Sequence, residues 1–123
     1  MTGAAIEWRA SPNHGPRRGG APIDMLVLHY TNMTSAEAAL RRLCDPAVEA
    51  SAHYLVGEDG RVQQLVAEHR RAWHAGVACW RGEPDVNSRS IGIELAHPGH
   101  IWGYRPFAAA QLDAALALCL GII

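Results

Sequence analysis

The 123-residue sequence contains no lysine; its eleven basic residues are all arginine. Chemistry that needs an ammonium group must find it elsewhere. Cysteine is scarce too. Cys44, Cys79 and Cys119 are scattered and odd in number, with no C-x-x-C or zinc-ribbon spacing. They read as reduced thiols, with Cys44 and Cys119 inside helical apolar patterns. There is no charge excess, the net value being −1 with histidine neutral, so neither a nucleic-acid-binding stripe nor an acidic tail is present. No apolar run approaches the roughly 18 residues that span a bilayer. The stretch from Met1 to Pro12 holds Glu7 and Trp8 and lacks the uninterrupted apolar core of a secretory signal. The expectation is a cytoplasmic protein with neither nucleic acid nor membrane as a partner.

Histidine, by contrast, is abundant. Seven in 123 residues is the first hint of metal or acid–base chemistry. Apolar residues make up 49 %, enough for one ordinary core. Residues 1–22, rich in proline and glycine, read as an irregular arm, and residues 23–123 as a single domain. Residues 23–30 form the first expected strand. The S/T-x-x-E pattern Thr34-Ser35-Ala36-Glu37 then predicts a capping box and a helix with Ala36, Ala39, Leu40 and Leu43 inward, ending before Asp45-Pro46. Two β-prone runs, 52–56 and 61–66, flank Asp59-Gly60 as a hairpin. Residues 67–90 read as a long functional loop with Trp73, His74, Trp80 and Gly82. Residues 90–95 form another strand, and a helix follows Pro106 with Phe107, Leu112, Leu116 and Cys119 or Leu120 inward. The interleaving predicts an α/β fold, a mixed central sheet with flanking helices.

Four places carry candidate chemistry. His29 ends the apolar run Met25-Leu26-Val27-Leu28, where a strand surfaces; a neutral imidazole there is a metal ligand, a proton carrier or a side chain satisfied by the next loop. Glu94 sits at the end of Ile91-Gly92-Ile93, facing away from Ile93. A carboxylate there suits a general base, or else it turns to solvent or pairs with an arginine. Trp73-His74 suits one wall of a polar-substrate cleft. His53, before Tyr54-Leu55-Val56, reads as a buried neutral histidine bonded to a backbone carbonyl, and His97 and His100 read as solvated. The metalloprotease pattern H-E-x-x-H is absent, so any co-ligands of His29 come from distant segments.

The segments Leu28-His29-Tyr30-Thr31, Ser51-Ala52-His53-Tyr54-Leu55-Val56 with Asp59-Gly60, Ala72-Trp73-His74-Ala75-Gly76, and Asn87 followed by Ser90-Ile91-Gly92-Ile93-Glu94-Leu95 occur in that order. Together they resemble the zinc-dependent N-acetylmuramoyl-L-alanine amidases of the type 2 amidase family, relatives of the peptidoglycan recognition proteins and phage lysozyme-type amidases, over roughly residues 22–118. The resemblance implies a zinc site in a groove over one sheet face. It implies hydrolysis of the amide between the lactyl group of N-acetylmuramic acid and L-alanine in peptidoglycan fragments or recycled anhydro-muropeptides. It makes His29 the first zinc ligand and Glu94 the catalytic carboxylate. It puts Trp73 and His74 in the segment lining the substrate groove and Asn87 in the loop leading to the Glu94 strand. Family members also carry a later Gly-His pair, a lysine and an Asp or Cys ligand. These have no counterpart here, and the sequence stops about where that segment is expected, lacking the last strand segment. The alternative expectation is therefore a catalytically inactive muropeptide-binding or interaction module.

Overall fold

A computed structural model of the chain describes residues 5–20, 22–76, 78–82, 84–99 and 105–123. In chain order the elements are β1 (Glu7–Trp8), β2 (His14–Pro16), β3 (Met25–Tyr30), α1 (Ala36–Leu43), β4 (Tyr54–Val56), β5 (Val62–Gln64), β6 (Arg70–Ala72), α2 (Val86–Arg89), β7 (Ser90–Leu95) and α3 (Ala109–Ile122). The main sheet runs β1-β5-β4-β7-β3, and β2 and β6 form a separate ribbon. The main sheet is mixed: β4–β5 is antiparallel, whereas β3, β4 and β1 each pair in parallel, the first two with β7 and the last with β5.

The sheet separates two apolar layers. On one face α1 buries Ala39, Leu40 and Leu43 against Leu55, Leu65, Val66 and Ala96. On the other, α3 buries Ala115 and Leu118 against Tyr54, Val56, Ile91, Ile93 and Leu95. Alternation along β7 assigns the faces. Ile91, Ile93 and Leu95 fill the α3 layer, which sends Ser90, Gly92 and Glu94 toward the α1 layer.

Four expectations from the sequence change. The arm is not irregular: it supplies β1 and β2 and reaches into the fold. Asn13 Nδ2 lies 2.8–2.9 Å from the carbonyl oxygens of Asp45, Val48 and Ala50, and Arg17 donates to the Glu68 and Asn87 carbonyls. The α1 cap shifts by one residue, to Ser35, whose hydroxyl accepts from Ala38 N–H at 3.1 Å. Glu37 therefore falls inside the first turn and closes no box.

The inner face of α3 is also not the one expected. Leu112, Leu116 and Leu120 are exposed, and Gln111, Ala115 and Leu118 are buried. The helix is apolar nearly all round, so spacing alone does not select a face. Gln111 selects it: its Nε2 donates to the Val56 carbonyl at 3.0 Å and to the Ala96 carbonyl at 2.9 Å, satisfying backbone acceptors just past β4 and β7. The 67–90 loop is likewise more ordered than expected, containing β6 and the short α2. Arg71 holds its two ends together by donating to Asp85 Oδ1 at 2.8 Å and Ser88 Oγ at 3.1 Å.

Candidate active site

The parallel register of β3 and β7 places His29 opposite Glu94, and that of β4 and β7 places Leu55 opposite Glu94. All three side chains lie on the α1 face. Thr31 fastens the strand ends together: its N–H donates to the Leu95 carbonyl at 3.1 Å, and its hydroxyl accepts from His97 N–H at 3.2 Å.

Glu94 is partly buried and has no hydrogen-bond or ion-pair partner among the described residues. Burial lifts its carboxyl from 4.5 to about 7. The arginine pairing weighed from the sequence is not made. Glu94 borders a cavity of about 100 Å³ lined also by Thr31, Met33, Arg42, Trp73 and His74. A carboxyl titrating near neutrality in a small polar cavity can both accept and return a proton.

His29 is half-buried, and desolvation pulls its pKa below the ordinary histidine value. Its Nε2 lies 3.0 Å from His74 Nδ1, and His74 Nε2 lies 2.9 Å from Ser90 Oγ. Burial, with the neighbouring His29 and His53, pushes His74 down to about 3. The His74 ring has room only because residue 92 is glycine: a Cβ there would stand 2.4 Å from Cγ and Cδ2 of the ring.

His53 has the structural role expected. It is fully buried, Nδ1 accepts from Gly92 N–H at 3.0 Å, and Nε2 donates to the Arg70 carbonyl at 2.9 Å. Asn87 is buried, and its Oδ1 accepts from His74 N–H and Ala75 N–H at 3.2 and 2.9 Å, fixing the backbone that presents His74. Trp73 exchanges backbone and side-chain hydrogen bonds with Ser51 and borders the cavity.

His97 is a correction. It is buried, not solvated; it stacks on Phe107 at 4.0 Å between centroids and accepts from Gly99 N–H at its Nδ1. His100 lies outside the described residues.

On the other side of His29 a groove of about 610 Å³ runs past Val27, Ala75, Cys79, Trp80 and Arg81. The Arg81 guanidinium sits 5.7 Å from the Trp80 ring centroid, and its backbone has a positive φ of 51°. Neither Arg42 nor Arg81 stands out in the sequence. Arg42 reads as the polar face of α1, and only the Trp80-Arg81 pair within a Gly-rich loop hints at a groove wall.

The family model for N-acetylmuramoyl-L-alanine amidases (Amidase_2) matches residues 19–123. The chain belongs to this family. It is 39 % identical over 113 residues to the N-acetylmuramoyl-L-alanine amidase AmiD of Escherichia coli, covering 82 % of this chain and 40 % of AmiD. It is 30 % identical over 118 residues to the 1,6-anhydro-N-acetylmuramyl-L-alanine amidase AmpD of Haemophilus influenzae, covering 82 % of this chain and 62 % of that protein. A solved complex of Escherichia coli AmiD with anhydro-N-acetylmuramic acid-L-Ala-D-gamma-Glu-L-Lys superimposes with a TM-score of 0.73 at 37 % identity, over 94 % of this chain and 46 % of that one. The chain thus spans less than two thirds of the length of these relatives. The mixed sheet with flanking helices expected from the sequence is the amidase fold.

A catalytic zinc needs about three protein ligands and an open position. Among the described residues no three His, Cys, Asp or Glu side chains converge to hold a metal. His29 offers one nitrogen, whereas His74 is committed to Ser90 and His29, and His53 to backbone groups. Among the described residues this donor set does not make a zinc site.

Proposed function

We propose that the protein hydrolyses the amide between N-acetylmuramic acid and L-alanine in peptidoglycan fragments such as anhydro-muropeptides. The observation that carries this reading is Glu94, a carboxyl without a partner among the described residues and raised to about 7, set opposite His29 on one sheet face beside a cleft. Membership of the amidase family and the likeness to a substrate-bound AmiD support it. Glu94 takes a proton from the attacking water and returns it to the leaving amine of L-alanine. Trp73 offers a flat apolar wall to the sugar or peptide methyl groups, while His74 and Asn87 shape that wall from beneath. His29 is the residue here that would offer one nitrogen to a zinc ion.

The incomplete donor set favours a second reading, binding of muropeptide without hydrolysis. One experiment separates the two. The chain is incubated with an anhydro-muropeptide, with and without equimolar zinc. Release of peptide with a free L-alanine amine is followed by mass spectrometry, and binding by calorimetry. Release that is lost in Glu94→Gln supports hydrolysis; binding without release supports the second reading; neither binding nor release refutes both.

A further inference from the structure

The three imidazoles beneath the cleft lie in a row. Ring centroids are 6.1 Å apart for His53 and His74, and 5.2 Å for His74 and His29. The hydrogen bonds of the middle ring, His74, determine where its own proton and that of His29 sit.

Ser90 fixes the first proton. Its hydroxyl has one proton and donates it to the Val86 carbonyl oxygen at 2.7 Å, since a carbonyl only accepts. Toward His74 Nε2, 2.9 Å away, Ser90 Oγ must therefore accept. That puts the His74 proton on Nε2 and leaves Nδ1 with a bare lone pair. His29 Nε2, 3.0 Å from this Nδ1, must then be the donor. The His29 proton is fixed on Nε2, and its Nδ1 is left as the unprotonated nitrogen.

We propose that His74 is a positioning residue: seated over Gly92 and anchored by Ser90, it locks His29 in the Nε2–H tautomer, so that Nδ1 is the nitrogen whose lone pair His29 leaves free to take a proton. Among the described residues both rings hydrogen-bond only to uncharged groups, the setting of buried neutral imidazoles. Free imidazole interconverts between two tautomers, so locking one removes a competing form and fixes the ring orientation. His53 supports the seat from below. By accepting from Gly92 N–H it holds the glycine whose missing side chain makes room for the His74 ring. The importance of the lock rests on reading His29 as part of the active site; its existence does not, because the tautomer is present in metal-free protein.

The test is long-range 1H–15N correlation NMR on the full chain, labelled with 15N-histidine, without metal. The expected result is that His29 and His74 each show a protonated Nε2 and an unprotonated Nδ1. Ser90→Ala removes the acceptor for the His74 proton, and Gly92→Ala drives a Cβ into the His74 ring. Each is expected to convert His29 from a single tautomer to a mixture. A purely structural His74 leaves the His29 tautomer unmoved. The proposal is overturned if wild-type His29 carries its proton on Nδ1. It is equally overturned if folded Ser90→Ala keeps both ring tautomers unchanged. Failure to hydrolyse muropeptide affects neither outcome, so the lock and the amidase reading stand or fall separately.

Discussion

His29 and Glu94 are register partners on adjacent parallel strands, so one imidazole and one carboxyl emerge side by side on the same sheet face. The carboxyl has no partner among the described residues, and burial alone sets its proton affinity. This makes Glu94 a liability to the fold when ionised.

The first prediction follows from that liability. The carboxyl titrates at 4.5 when solvated and at about 7 in the fold. The folded state thus binds the extra proton, and ionisation above pH 7 destabilises it by up to about 3 kcal/mol. Below about pH 4.5 both states are protonated and the penalty is absent. Glu94→Gln is therefore expected to be more stable than wild type at about pH 8, with the gain shrinking to nothing near pH 4.5. Urea denaturation at the two pH values measures it; an equal difference at both contradicts the assignment.

The buried histidines act with the opposite sign. His53 falls from 6.5 to about 4 and His74 to about 3. Each contributes stability that is fully present above pH 6.5 and is lost as pH falls toward its folded value. In wild type, protonation of Glu94 offsets part of this acid loss. Glu94→Gln removes the offset, so its urea midpoint is expected to fall more steeply than that of wild type between about pH 6.5 and 4.5. Parallel slopes contradict this coupling.

The N-terminal arm supplies a third test. The Arg17 guanidinium donates to two backbone carbonyls, Glu68 O at 2.7 Å and Asn87 O at 3.0 Å, tying the arm to the loop that carries His74. Arg17→Ala is expected to destabilise by about 2 kcal/mol, and Arg17→Lys recovers little because an ammonium does not reproduce the planar fork. Arg18, whose side chain is exposed, is expected to tolerate alanine within about 0.5 kcal/mol. Thermal melts of the three variants decide it.

The orientation of α3 is the fourth. Leu116→Lys lies on the exposed face and is expected to change stability by less than about 0.5 kcal/mol. Gln111→Leu removes the side-chain donor of the Ala96 carbonyl and leaves the Val56 carbonyl with the Ala96 N–H, and it is expected to cost about 1–3 kcal/mol, despite placing a more apolar residue in the core. A destabilising Leu116→Lys with a neutral Gln111→Leu would reverse the assigned faces.

These cases show where the sequence was legible. Strand β7 matches its expected span, 90–95, because alternating isoleucines with a glycine between them admit one pleat. His53 reads as buried because apolar β-prone residues follow it. Other features depend on partners distant in sequence. The Ser90–His74–His29 chain joins segments 16 and 45 residues apart, and no local spacing encodes it. The burial of Ser11 and Asn13 follows from carbonyls that α1 and its following turn leave open, which a proline-rich arm gives no reason to expect. His97 misleads for the same reason: its stacking partner Phe107 lies ten residues on, across the loop.

The proposed function is cleavage of the muramoyl–alanine amide in this cleft with Glu94 as proton carrier. Mass-spectrometric detection of peptide with a free L-alanine amine, released from an anhydro-muropeptide by the chain with and without zinc, tests it. Release is expected, falling by at least about 10² in Glu94→Gln. Muropeptide bound but left intact, or cleaved equally by Glu94→Gln, would contradict it.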